Sequence, residues 1–158
     1  EIALRQTFSR LDRDFDYIII DCPPSLGLLT LNALVAADWV LVPVQAEYLA
    51  LEGLSRVVWT VQHIQKTKNE RLRLLGIVIT MFDGRTNLAN QVVDEIARAF
   101  SDHLMQTRIT RSVRLSEAPS FGKPIIYYDS RSPGAFQYMS LIEEILHVCE
   151  ETRAGSGA

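Results

Sequence analysis

The chain has 158 residues, a length that fits one domain. With 47% hydrophobic residues it can fill a core, and a net charge of −3 with a pI near 5.6 gives no global pull toward nucleic acid or membrane. Cys22 and Cys149 match no metal-ligand spacing and read as reduced thiols, which argues against a disulfide framework and an iron–sulfur carrier. The basic residues are skewed, with 13 Arg against 3 Lys, and Arg is the better residue for bidentate phosphate contact.

In chain order, the apolar spacing of Ile2, Leu4, Phe8 and Leu11 predicts an amphipathic helix over 2–13. The chain opens on Glu1 inside this helix-like pattern, which gives the expectation of a fragment. Residues 15–20 are β-branched and apolar, as suits a strand buried on both faces. A helix over 28–37, a strand over 39–44 closed by Pro43, a short loop over 45–49 and a long helix over 50–66 follow. A strand over 74–80, a polar loop over 81–87 and a helix over 88–100 come next. The rest reads as a strand over 106–109, an irregular loop with a helical turn over 110–124, an apolar segment over 125–128 and a helix over 134–150. Residues 151–158 are expected to be a disordered tail after a single domain over 1–150. Strands alternating with helices predict an α/β fold, a mostly parallel sheet with helices on both faces.

The stretch Ile18-Ile19-Ile20-Asp21-Cys22-Pro23-Pro24-Ser25-Leu26-Gly27 is the most informative. Two prolines end the strand at once, so Asp21 sits at its carboxyl end, where open α/β sheets bind ligands. Asp21 can be a plain strand-ending helix cap, or it can hold magnesium through its water shell beside a nucleotide phosphate. The stretch resembles the Walker B and switch II segment of the ParA/Soj/MinD family of deviant Walker ATPases. Two further stretches are similar to the chromosomal ParA/Soj consensus, Val113 to Pro124 and Tyr128 to Ala135, and the resemblance runs to about Leu146. It implies a P-loop NTPase-like fold of the deviant Walker subgroup.

A nucleotide site of this kind needs a Gly-rich loop ending in Gly-Lys-Ser/Thr, and the chain has none, because Gly122-Lys123 is followed by Pro124. In the ParA family that loop precedes the Walker B strand. The chain is therefore expected to be the N-terminally incomplete, C-terminal part of such an ATPase domain, and inactive in ATP hydrolysis by itself.

The loop Thr80-Met81-Phe82-Asp83-Gly84-Arg85-Thr86-Asn87 follows a predicted strand. By spacing it is a turn with a Thr or Asn cap on the next helix; it also resembles a family segment whose start lies near the nucleotide base and whose arginine faces DNA. Residues 108–131 carry Arg108, Arg111, Arg114, Lys123 and Arg131 against Glu117 and Asp129, a local net charge of +3. Such a run is either a solvated loop or a contact for the phosphate backbone, and without aromatics in 108–120 that contact would be sequence-independent.

The resemblance implies Asp21, Pro23, Pro24, Met81, Thr110 and Arg111 at the nucleotide, with Asp21 also at the magnesium, and Arg85 and Arg114 at DNA. Thr110-Arg111-Ser112 departs from the family's usual Pro-Arg-Asn. It implies a cytoplasmic, nucleoid-associated partition ATPase using ATP and Mg2+, dimerising with ATP, binding DNA non-specifically and stimulated by a ParB/Spo0J-type partner. The alternatives are a non-catalytic interaction module of the same fold and a MinD-like positioning ATPase. The MinD-like reading needs a basic amphipathic C-terminal helix, and Glu143, Glu144, Glu150 and Glu151 occupy that end, so no membrane contact is expected. His63, His103 and His147 sit in no motif, and Ser25 and Ser116 lack a placed base.

Overall fold

The computed structural model describes residues 3–10, 15–23 and 25–155. The elements are α1 (Ala3–Phe8), α2 (Leu28–Ala36), β1 (Trp39–Gln45), α3 (Ala50–Thr67), β2 (Arg73–Phe82), α4 (Asn87–Ala99), β3 (Leu104–Thr110), α5 (Val113–Glu117), α6 (Ile125–Tyr128) and α7 (Pro133–Gly155). Short 3-10 turns cover Ser101–His103 and Ala118–Phe121. The strands form a three-stranded parallel sheet in the order β1-β2-β3, with Ile77 opposite Leu104 and Phe82 opposite Thr110. The α4 crossover between β2 and β3 is the connection that parallel strands require.

Two compact units divide the chain, residues 1–40 with 55–74, and residues 41–54 with 75–158. In the first, Leu34 and Val35 of α2 pack with Val61 and Ile64 of α3 and with Leu72. The three-residue step from Val61 to Ile64 keeps both on one face of α3, as its apolar pattern predicts. A buried polar side chain closes this core. Asn69, 4% exposed, donates through Nδ2 to the carbonyls of Leu34 at 3.0 Å and Ala37 at 2.7 Å. Those carbonyls belong to the unsatisfied last turn of α2, so Asn69 supplies the partner that the helix end lacks.

In the second unit, Val78 of β2, Met105 and Ile109 of β3 and Leu141 of α7 make one core. Ala118, Ile125 and Ala135 make a smaller one beside it. Two α7 side chains also reach the backbone of β3. Glu144 accepts from the amides of Gln106 and Thr107 at 2.6 and 3.0 Å, and Gln137 accepts from the amide of Thr110 at 3.0 Å. These contacts occupy donors that a strand would otherwise present to solvent.

The structure corrects several expectations. Residues 15–20 are not part of the sheet, and Ile19 is 93% exposed. Their composition is right for a buried strand, but a strand exists only where a neighbour supplies its ladder, and β1, β2 and β3 pair without them. The first helix is shorter than expected, ending at Phe8, and buries no residue. The helical turn expected within 110–124 is α5 with the 3-10 turn after it, residues 125–128 are helical rather than a plain apolar segment, and β1 runs through Pro43 to Gln45. The last helix reaches Gly155, which takes in residues 151–155 of the expected tail, and residues 156–158 lie outside the described residues.

Candidate functional site

Asp21, Cys22 and Pro23 are all exposed in the first unit; Pro24 lies outside the described residues. The chain is tied down again at Ser25, whose carbonyl accepts from Thr30 Oγ1 at 2.6 Å, and at Gly27, whose carbonyl accepts from the Leu31 amide at 3.0 Å. Gly27 is the N-cap of α2 in an extended conformation and offers no side-chain cap. Burial and the neighbouring Asp21 charge both push the Cys22 thiol above its ordinary pKa, so it is a poor nucleophile. Asp21 presents a single exposed carboxylate, the type of oxygen donor that a water-rich magnesium site takes. No cluster of three or more metal-ligating side chains occurs among the described residues.

The second unit carries a cavity at the carboxyl ends of its strands. It has a volume of about 270 Å³ and is lined by Gln45 at the end of β1 with Ala46 and Glu47 after it, by Met81, Asp83, Thr86 and Ala89 at and after the end of β2, and by Arg111 after β3. This is the edge at which open α/β sheets take ligands. Met81 adopts φ +49°, in the left-handed region that non-glycine residues occupy at a cost of order 1–3 kcal/mol. The Arg111 amide donates to the Phe82 carbonyl at 3.1 Å, and its guanidinium stands 4.0 Å from the Glu47 carboxylate.

Of the residues assigned to the nucleotide, Met81 and Arg111 therefore share one cavity. Thr110 does not line it, because its amide and hydroxyl both engage Gln137 of α7. Gln45, Ala46 and Glu47 were read only as a short loop. Their position just past a buried strand, at the same edge as Met81, is the signal that could have singled them out.

Arg85 projects from the β2–α4 loop with 89% of its side chain exposed. Asp83 holds it in a fork. Nε donates to Oδ1 at 2.8 Å, Nη2 donates to Oδ2 at 2.7 Å, and the Arg85 amide donates to Oδ1 at 3.1 Å. The Arg85 hydrogen bonds lower the Asp83 carboxyl to a pKa of about 2. Thr86 caps α4, accepting from the Ala89 amide at 3.3 Å, so the Thr cap and the family-like loop coexist in one segment.

Arg114, on α5, is 58% exposed. Its Nη1 donates to Glu117 at 3.2 Å, its Nε lies 3.6 Å from Asp129, and Tyr128 donates to the same Glu117 oxygen at 3.1 Å. Tyr128 first, and Glu117 second, push the Arg114 pKa further above its ordinary value. Arg108 lies over the Phe82 ring, 5.1 Å from its centroid. The basic segment is thus a set of arginines held by individual partners, and Arg85 and Arg114 keep exposed guanidinium surface.

Relatives fix the family. A family model described as an AAA domain matches residues 1–74. The chain is 54% identical over 145 residues to the sporulation initiation inhibitor protein Soj of Bacillus subtilis, covering 92% of this chain and 57% of that protein. It is 52% identical over 146 residues to the chromosome partitioning protein ParA of Myxococcus xanthus, covering 92% of this chain and 52% of that protein. The chain belongs to the Soj/ParA family. It spans just over half the length of these relatives. Among solved structures it is similar to cobyrinic acid a,c-diamide synthase of Mycobacterium smegmatis with bound ADP and magnesium, at 34% identity and a TM-score of 0.76, over 94% of this chain and 54% of that one. The α/β fold is P-loop NTPase-like, as the resemblance implies.

Proposed function

We propose that this member of the Soj/ParA family serves an ATP- and magnesium-dependent partition ATPase that dimerises with ATP and binds DNA without sequence preference. One observation carries the reading: Arg85, exposed for phosphate contact, stands on the same loop as Asp83 and just past Met81 at the end of β2, and both of these line the cavity at the sheet's carboxyl edge. A ligand seated in that cavity would bear on the segment that presents the arginine. Arg85 and Arg114 would contact backbone phosphates, and Arg is suited to this because its planar fork binds phosphate oxygens in pairs.

Asp21 would hold the water shell of magnesium, and Pro23, Pro24 and the residues up to Gly27 would relay the state of the nucleotide to the dimer interface. Magnesium, when bound with ATP, supplies neutralisation of phosphate charge. Met81 and Arg111 would border the base, with Thr110 orienting that loop through Gln137. A ParB/Spo0J-type partner would stimulate turnover, in the cytoplasm at the nucleoid. The 158 residues hold no Gly-Lys-Ser/Thr loop, so turnover is expected only from a polypeptide that supplies one.

The test is a titration of duplex DNA in ATP and magnesium with a polypeptide that supplies the Gly-Lys-Ser/Thr loop. Arg85→Ala and Arg114→Ala should each weaken binding equally across sequences and lower the salt slope by about one. Unchanged affinity for both variants at low salt would defeat the assignment. Asp21→Ala should impair magnesium-dependent ATP binding, and an unaltered magnesium dependence would remove Asp21 from the site.

A further inference from the structure

The cavity at the carboxyl edge of the sheet has two carboxylates, Glu47 and Asp83, and one cation, Arg111, among its lining residues. The function above gives Asp83 no role. Its carboxylate is engaged by Arg85, which is not among the lining residues. Oδ1 accepts from Arg85 Nε at 2.8 Å and from the Arg85 amide at 3.1 Å, and Oδ2 accepts from Nη2 at 2.7 Å. An ionised carboxylate offers about four acceptor positions, shared between its two oxygens. Oδ1 is therefore full, and one position remains on Oδ2. The Arg85 bonds hold this carboxyl at a pKa of about 2, so at neutral pH it is ionised and can only accept.

The backbone beneath Asp83 is pinned. Its carbonyl accepts from the Thr86 amide at 3.1 Å and from the Thr86 hydroxyl at 3.0 Å, and Asn90 Nδ2 donates to the carbonyls of Gly84 and Thr86, each at 3.0 Å. On a loop held in this way, the fork decides which acceptor positions of Asp83 a ligand meets. The two purines ask different things of a carboxylate. Guanine presents two adjacent donors, N1–H and the N2 amino group, which match the two oxygens of one carboxylate. Adenine presents one donor, the N6 amino group, beside the N1 acceptor, which a carboxylate repels. An unlocked Asp83 would favour guanine. The locked Asp83 leaves guanine two donors and one open position, and a base donor that goes unpaired in a site is costly.

We infer that the Asp83–Arg85 fork selects the purine: Arg85 occupies the carboxylate that guanine would need, and so reserves the cavity for adenine. This rests on the reading that places the nucleotide base beside Met81 and Arg111. Arg85 acts through Asp83 and touches no base, so it is a positioning residue for specificity. The selection works by withholding an acceptor from the wrong base rather than by adding a contact to the right one. It is compatible with a phosphate on the same arginine, since the fork uses Nε and Nη2 and the side chain is otherwise exposed.

The experiment measures dissociation constants of ATP, GTP and ITP with magnesium, by competition against a ribose-labelled fluorescent ATP, on a polypeptide that contains this chain and supplies the Gly-Lys-Ser/Thr loop. Arg85→Ala should improve GTP relative to ATP by about tenfold or more, the worth of one bidentate base contact. ITP, whose base keeps N1–H and lacks the N2 amino group, should gain less. Arg85→Lys, which keeps the charge and loses the fork, should shift the ratio in the same direction by a smaller factor. Asp83→Asn/Arg85→Ala should return the ratio to the wild-type value, because an amide offers one acceptor oxygen in place of two. An unchanged ratio in Arg85→Ala, or an equal gain for GTP and ITP, would overturn the inference. A gain that survives Asp83→Asn would overturn it in favour of Glu47 as the acceptor. The Met81 methyl resonance separates this inference from the reading beneath it. If ATP moves that resonance and the ratio stays constant, the fork alone is refuted. If ATP binds without moving it, the base lies elsewhere, and the placement of the base falls together with the inference.

Discussion

Replacing Asn69 by alanine removes one side chain from two jobs at once. Its Nδ2 serves the carbonyls of Leu34 and Ala37, 35 and 32 residues away, and the side chain is almost wholly buried. Each hydrogen bond contributes about 1 kcal/mol net, and an acceptor left buried and unpaired costs about 1–3 kcal/mol. Some water will reach the Ala37 carbonyl, since that contact is only part-buried, so the two losses will not both be complete. The expected destabilisation is about 2–3 kcal/mol, and for a chain of this size that lowers Tm by about 4–12 °C. Urea unfolding followed by circular dichroism measures it as a shift in midpoint at constant slope. A destabilisation below about 0.5 kcal/mol would refute the account of Asn69 as the partner of the α2 end, because that is the range of ordinary surface substitutions.

Two other predictions bear on the loop after β2. Thr86→Ala should cost about 1 kcal/mol through loss of the α4 cap, while Thr86→Ser should restore most of it; unfolding midpoints of both variants check this. Asp83 should titrate near pH 2 by carboxyl NMR, and Arg85→Ala should return it toward 3.8. The sign follows from a folded pKa below the unfolded one: the pairing stabilises the loop above the unfolded value and is lost as pH falls through about 2. An Asp83 pKa unmoved by Arg85→Ala would show that the fork is not what lowers it.

What was legible in the sequence was local. The apolar run over 74–80 and the helical spacing of Val92, Val93 and Ile96 lie inside β2 and α4, and the turn signals between them gave the Thr86 cap. A signal that repeats every two or every 3.6 residues is complete within a few turns of chain, so no distant partner is needed to read it. The misses share the opposite property. Residues 15–20 have the composition of a buried strand, but a ladder is made by a second segment, and composition does not say whether that segment is in place. The resemblance implies Thr110 at the nucleotide; that its donors engage Gln137, 27 residues on, is a contact no local signal carries. The resemblance implies Arg85 and Arg114 at DNA, and the structure gives them carboxylate partners, Asp83 two residues before the one, and Glu117 and Asp129 after the other. Those carboxylates set the terms of any DNA contact. A phosphate must either displace them or bind the guanidinium edge they leave exposed, and exposed ion pairs of this kind are weak enough for a phosphate array to do the first.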